Sequence, residues 1–167
     1  MNLFRLHNDP RLAAQMHCDK HVVKMILETA QMLSTAWRIT ESDSEYADEH
    51  GMYKLAHKNH PSTVWVRHTV SNYYWTINLF ENLCQEYTHR YKKKHASERL
   101  LDAFKETSPT ESWIIKDSMD FPQCMPDEYK VEDDPVQAYR KYYKAEKAYF
   151  AKWDRGRAAP EWWSHDD

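Results

Sequence analysis

The chain has 167 residues, enough for one domain with a buried core, and its formal net charge of −3 excludes a uniformly basic nucleic-acid coat. Its two glycines, Gly51 and Gly156, stand outside any glycine-rich turn, which excludes a phosphate loop or dinucleotide fingerprint and argues against a hairpin-rich β fold. No apolar run is long enough to cross a membrane, no targeting segment is evident, and the scattered Cys18, Cys84 and Cys124 fit reduced thiols in a cytoplasm.

In chain order, Met1 to Leu6 (MNLFRL) reads as a short strand or an extended lead-in. Asp9-Pro10 is a helix start, with a side-chain acceptor at the N-cap followed by a residue without an N–H. From there one helix is predicted to run unbroken to near Thr40. Leu12, Met16, Val23, Ile26, Leu27, Ala30 and Leu33 recur at threes and fours and mark its buried face. His17, His21, Lys24 and Glu28 fall on a second stripe at i, i+4, i+7 and i+11.

Two imidazoles and a carboxylate among Met, Cys and Ile are the groups expected to line a partly buried cleft. The plainer alternative is a pair of hydrogen-bonded helix histidines beside an ordinary Lys24–Glu28 ion pair. His17 and His21 have the spacing to ligate one ion, completed by His57, His60 or His68. The chain lacks an HExxH motif or cysteine-pair spacing, so neither a metal nor a cofactor is expected.

Glu41 to Glu49 carries five carboxylates and reads as a solvated loop, and Met52 to His57 as a short helical turn. Pro61-Ser62 opens a second long helix to about Lys93, bent at Ser71-Asn72, with Val66, Val70, Tyr73, Ile77, Phe80, Cys84, Tyr87 and Tyr91 on its apolar face. It ends in Arg90, Lys92, Lys93 and Lys94, cations that suit either the helix dipole or phosphates. Ser97 to Glu106 is a short amphipathic helix. Thr107 to Asp134 reads as largely irregular and suited to cover the mouth of a cleft. Asp134-Pro135 repeats the helix start, and the last helix is predicted over Pro135 to Trp153. It is expected to bury Val136, Tyr139, Tyr143 and Phe150, with Trp162 and Trp163 clamping the tail. The expected fold is all-α: one compact helical domain over 1–167, with three to four main helices and long irregular connections.

The segments HCDKHVVKMILETAQML, HKNHP and CQEYTHRY, with DDPVQAYRKYY and APEWW, resemble the pyrimidine-dimer DNA glycosylase family, the small helical endonuclease V type, and within it phage-encoded proteins. That family carries Asp-x-His followed, seven residues after the His, by a catalytic Glu; the matching residues are Asp19-Lys20-His21 and Glu28. The resemblance implies a DNA N-glycosylase acting on damaged or modified bases in a host cytoplasm, with or without abasic-site lyase activity. In the family an N-terminal amine attacks the sugar C1′ to form a Schiff base, and the Glu assists sugar opening and β-elimination.

Glu28, His21 and Lys24 are thus the catalytic candidates. His17, Lys20, His60, Arg67, Arg90, Lys92 and Lys93 are the candidates for binding DNA, with Trp65 or Tyr73 as a wedge. The chain departs from the family in beginning Met1-Asn2 and in placing Leu27 and Gln31, not arginine, around the Glu. Three routes stay open: the Met1 amine as nucleophile, Lys24 or Lys20 in its place, or water oriented by Glu28. The last needs the fewest absent residues. A protein that binds or hydrolyses a free nucleotide in the same cleft is the alternative, as is a helical interaction protein without activity. No membrane partner is expected.

Overall fold

A computed structural model describes residues 1–40, 45–106 and 117–163. Residues 41–44 of the acidic segment, 107–116 of the proline-bearing connection and the last four residues lie outside this description. The described residues form seven α-helices and no strand: α1 (Pro10–Met16), α2 (Asp19–Thr40), α3 (Glu45–Glu49), α4 (Pro61–Val66), α5 (Val70–Tyr91), α6 (Leu101–Glu106) and α7 (Pro135–Glu146). The fold is all-α, as the composition and periodicity predict.

The first predicted helix is two. His17 turns extended (φ −61, ψ 138), α1 stops, and α2 restarts at Asp19. Groups from distant elements, two of them side chains, occupy the backbone groups at the break. The Arg90 guanidinium donates to the carbonyls of His17 (2.7 Å) and Gln15 (2.8 Å), the Cys18 N–H donates to the Tyr143 hydroxyl (3.1 Å), and the Asp19 N–H donates to the Lys152 carbonyl (2.8 Å). These bonds satisfy backbone groups that the interrupted ladder leaves open. The apolar period runs through the break, so nothing local marks it.

The second predicted helix also divides, at Arg67 to Thr69. Thr69 caps α5 by accepting from the Asn72 N–H (3.0 Å), while the Asn72 side chain donates back to the Trp65 carbonyl (2.8 Å). The bend expected at Ser71-Asn72 therefore lies just before it, with Asn72 bracing it.

Met52 to His57 forms no helical turn. Its backbone is drawn out along α2, whose Ser34 and Thr35 hydroxyls accept from the N–H groups of Tyr53 and Ala56 and whose Arg38 donates to the carbonyls of Met52 and Tyr53. The acidic stretch contributes α3 rather than loop alone, and Met1 to Leu6 is an extended lead-in without a strand partner. Ala96–Leu100 is a 3-10 turn that leads into α6. The last helix ends at Glu146, not Trp153. Phe150 and Trp153 belong to the return loop, where the Trp153 indole donates to the Met16 carbonyl (3.2 Å). The Trp162 indole lies 3.4 Å from the Met16 sulfur, so the tail is clamped as expected.

The core lies between the lead-in, α1, α2 and α5, where Leu3, Leu6, Ile26, Leu33, Phe80 and Tyr73 are all buried. Each large apolar side chain there stabilises the fold by about 1.5–3 kcal/mol relative to exposure. Leu27, expected on the buried face, is 40% exposed, at the edge of the face that buries Ile26, Ala30 and Leu33.

Candidate active site

Helix α2 carries Glu28, whose carboxylate is mostly shielded, with the side chain 16% exposed. Its Oε1 lies 3.9 Å from the α-amino nitrogen of Met1. The Met1 side chain is 2% exposed while the residue as a whole is only half-buried, so its main chain is what faces solvent.

This placement is held from several directions. The Asn2 carboxamide oxygen accepts from the Leu3 N–H (2.9 Å) and the Tyr139 hydroxyl (2.7 Å), and its amide donates to the Cys124 carbonyl (3.0 Å). The Thr63 hydroxyl of α4 reaches the Met1 sulfur at 3.5 Å. Leu3 and Phe4 are then buried in the core. His60 caps α4 by accepting from the Ser62 N–H (3.1 Å). Its imidazole pKa is lowered first by burial and next by the Met1 ammonium charge, which places it at the same locus.

His21 is buried on the inner side of α2. Its ring lies 4.7 Å from Phe4 and 5.2 Å from Phe150, and its Nδ1 is 2.9 Å from the Tyr143 hydroxyl. Burial, reinforced by His17, Lys147, Lys24 and Lys20, pushes its pKa down to about 2, so the ring is neutral. His21 therefore packs against the lead-in that carries Met1 and does not face the cleft.

His17 is also fully buried. The helix break takes it out of the stripe, its Nδ1 sits 2.6 Å from the Ala13 carbonyl, and burial lowers its pKa to about 4. The i, i+4 spacing behind the metal idea is thereby lost. Among the described residues no group of three or more His, Cys, Asp or Glu side chains is placed to share an ion.

The expected phosphate contacts separate. Arg90 is buried: its Nε donates to Glu86 (2.9 Å) and its Nη1 to Asp19 (3.1 Å), in addition to the two carbonyls at the helix break. In this structure it is a brace and does not reach a phosphate. Arg67 is half-buried and donates to the Lys58 carbonyl (2.6 Å); burial lowers its pKa. Lys92 and Lys93 are exposed at the end of α5, where Lys92 takes the left-handed conformation (φ 60) as the cap. Lys20 and Lys24 are exposed on the rim of a cleft of about 770 Å³. Lys24 makes no ion pair with Glu28 among the described contacts. The proposed wedges are in the core, since Trp65 and Tyr73 are buried and hydrogen-bonded to the carbonyls of Met119 and Phe104.

Sequence reasoning missed Asn2, Tyr139 and Cys124 as the holders of the lead-in. The only sequence signal was the apolar Leu3, Phe4 and Leu6, which marks the lead-in as buried but not against what. The result is a primary amine beside a shielded carboxylate on a helical frame, a pairing suited to imine chemistry at a sugar carbon.

Residues 1–99, more than half of the chain, match the family model described as pyrimidine dimer DNA glycosylase. The chain belongs to the pyrimidine dimer DNA glycosylase family. Neither a curated protein nor a solved structure matches it significantly. The matched part contains Met1, Glu28 and His60, whereas α6, α7 and the return loop lie beyond it. Among the described residues no helix is long and apolar enough to cross a membrane.

Proposed function

We propose that the protein is a DNA N-glycosylase with an associated abasic-site lyase step, acting on a damaged pyrimidine through the Met1 amine and Glu28. The observation that carries this reading is the 3.9 Å approach of that amine to the Glu28 carboxylate, within the family-matched residues. It moves the weight from Glu28-oriented water to the amine.

The unprotonated amine attacks C1′ and forms an N–C1′ bond as the C1′–base bond breaks, and the base leaves with the bonding pair and takes up a proton. Ring opening at C1′–O4′ gives the iminium, with Glu28 serving the proton transfer to O4′. Loss of a C2′ proton then expels the 3′ phosphate. His21 serves as a positioning residue through its contact with Phe4. The family resemblance also makes DNA, rather than a free nucleotide, the favoured partner.

The test is borohydride trapping on ultraviolet-irradiated and abasic-site duplexes with wild type and Glu28→Gln. Wild type is expected to give a covalent adduct whose mass maps to Met1. Glu28→Gln should lose about 10²- to 10⁴-fold in base release with an unchanged melting temperature. An adduct on Lys20 or Lys24 refutes the Met1 assignment. Base release without any adduct returns the reaction to hydrolysis.

A further inference from the structure

The cleft beside Lys20 and Lys24 is built jointly by α2, the end of α5 and the return loop, the last of which lies outside the family-matched residues. Its rim holds four cations, Lys20, Lys24, Lys152 and Arg155, and its floor two aromatic rings, Tyr91 and Phe150. None of these four side chains pairs with a carboxylate among the described contacts, although the protein as a whole carries a net charge of −3. Two are seated on the floor: Lys20 Nζ lies 4.9 Å from the Phe150 ring centre, and the Arg155 guanidinium 4.4 Å from that of Tyr91. These rings already hold cations, so they orient charge and are not vacant for stacking.

Two carboxylates also line the cleft, Asp19 and Asp154. Asp19 is committed elsewhere, accepting from Arg90 (3.1 Å) and from the Asp154 N–H (2.8 Å), which leaves Asp154 as the opposing charge among the described lining residues. The return loop is tied down by that bond and by the Asp19 N–H to Lys152 carbonyl bond of 2.8 Å. The cations therefore sit on an ordered rim.

We infer that this cleft is a second DNA contact, in which Lys20, Lys24, Lys152 and Arg155 hold backbone phosphates of the strand flanking the reacting nucleotide. The inference rests on the glycosylase reading for its partner. Lys24 and Lys20 precede Glu28 by four and eight residues on α2, about 6 and 12 Å along the axis. Phosphates of one strand advance about 3.4 Å per nucleotide, so the cleft meets the backbone about two to four nucleotides from the reacting sugar. Lys92 and Lys93, exposed at the end of α5, follow Tyr91 directly in the chain but do not line the cleft.

The test is duplex binding by fluorescence anisotropy across a salt series, with wild type, Lys152→Ala/Arg155→Ala, and a control pair Lys54→Ala/Lys130→Ala. The cleft pair is exposed and its main-chain bonds do not depend on these side chains, so the fold is expected to persist by circular dichroism. Removing two phosphate contacts should lower the slope of log affinity against log salt by about 2, while the control pair leaves it unchanged. An unchanged slope in the cleft pair, or an equal fall in the control pair, overturns the inference. So does adenosine monophosphate binding that the cleft pair alone loses while duplex binding stays intact, which would assign the cleft to a free phosphate ligand. Borohydride trapping reports separately on Met1 and Glu28, so failure there leaves the slope result to stand or fall by itself.

Discussion

Arg90 decides between the role its sequence position suggests and the role its burial imposes. Sequence places it in a basic helix end fit for phosphates; the structure surrounds its guanidinium with Glu86, Asp19 and the carbonyls of His17 and Gln15. Arg90→Met would leave two shielded carboxylates short of a partner and two carbonyls at the α1–α2 break without a donor. Breaking a buried pair from one side costs about 3–5 kcal/mol. Glu86 keeps Arg157 and Asp19 keeps the Asp154 N–H, so the expectation is the lower end, about 3 kcal/mol. For a chain of this size that is a fall in melting temperature of about 6–12 °C.

The assay is urea unfolding followed by far-ultraviolet circular dichroism, with Arg90→Lys alongside. A single ammonium cannot span four separated acceptors, so the lysine variant should recover only part of the loss. A loss below about 1 kcal/mol, combined with weaker DNA binding, would refute the brace and restore a phosphate contact; the usual range for truncating a buried charge partner sets that threshold.

Tyr73→Phe should cost about 2–4 kcal/mol, since it strips the acceptor of the Trp37 indole N–H (2.7 Å) and the donor to the Phe104 carbonyl (3.0 Å) in the core; urea unfolding measures it. Stability should also fall with acid. The folded pKa values of His17 (about 4) and His21 (about 2) lie below the unfolded value of 6.5. Below pH 6.5 the unfolded chain therefore binds more protons, and each histidine withdraws about 1.4 kcal/mol per pH unit until its folded pKa is reached. Unfolding free energies measured from pH 7 to 4.5 should show this slope, halved in His17→Gln. A flat profile would contradict the burial of both rings.

Much of the architecture was legible in the chain. Asp9-Pro10 and Asp134-Pro135 begin helices where their capping chemistry says, because a cap is a local bond between a side chain and a nearby N–H. The apolar period of Ile26, Ala30 and Leu33 likewise marks a buried face correctly. Helix ends were less legible. The break at His17 depends on Arg90 and Tyr143, and the failure of Met52 to His57 to coil depends on Ser34, Thr35 and Arg38, none of them neighbours in sequence.

The same division holds for the site. Asp19-Lys20-His21 and Glu28 are a pattern with fixed spacing on one segment, so the resemblance and the candidate carboxylate were open to inspection in the chain alone. Spacing could not say which of these groups face solvent. Tertiary packing decided that His21 turns inward onto Phe4 and Tyr143, that Arg90 is enclosed, and that Asn2, held by Tyr139 and Cys124, brings the Met1 amine to Glu28. Helix type and capping are set by interactions a few residues long. The meeting of Met1 with Glu28, and of α2 with the return loop, is set by contacts between residues far apart in the chain, which exist only once the core has closed.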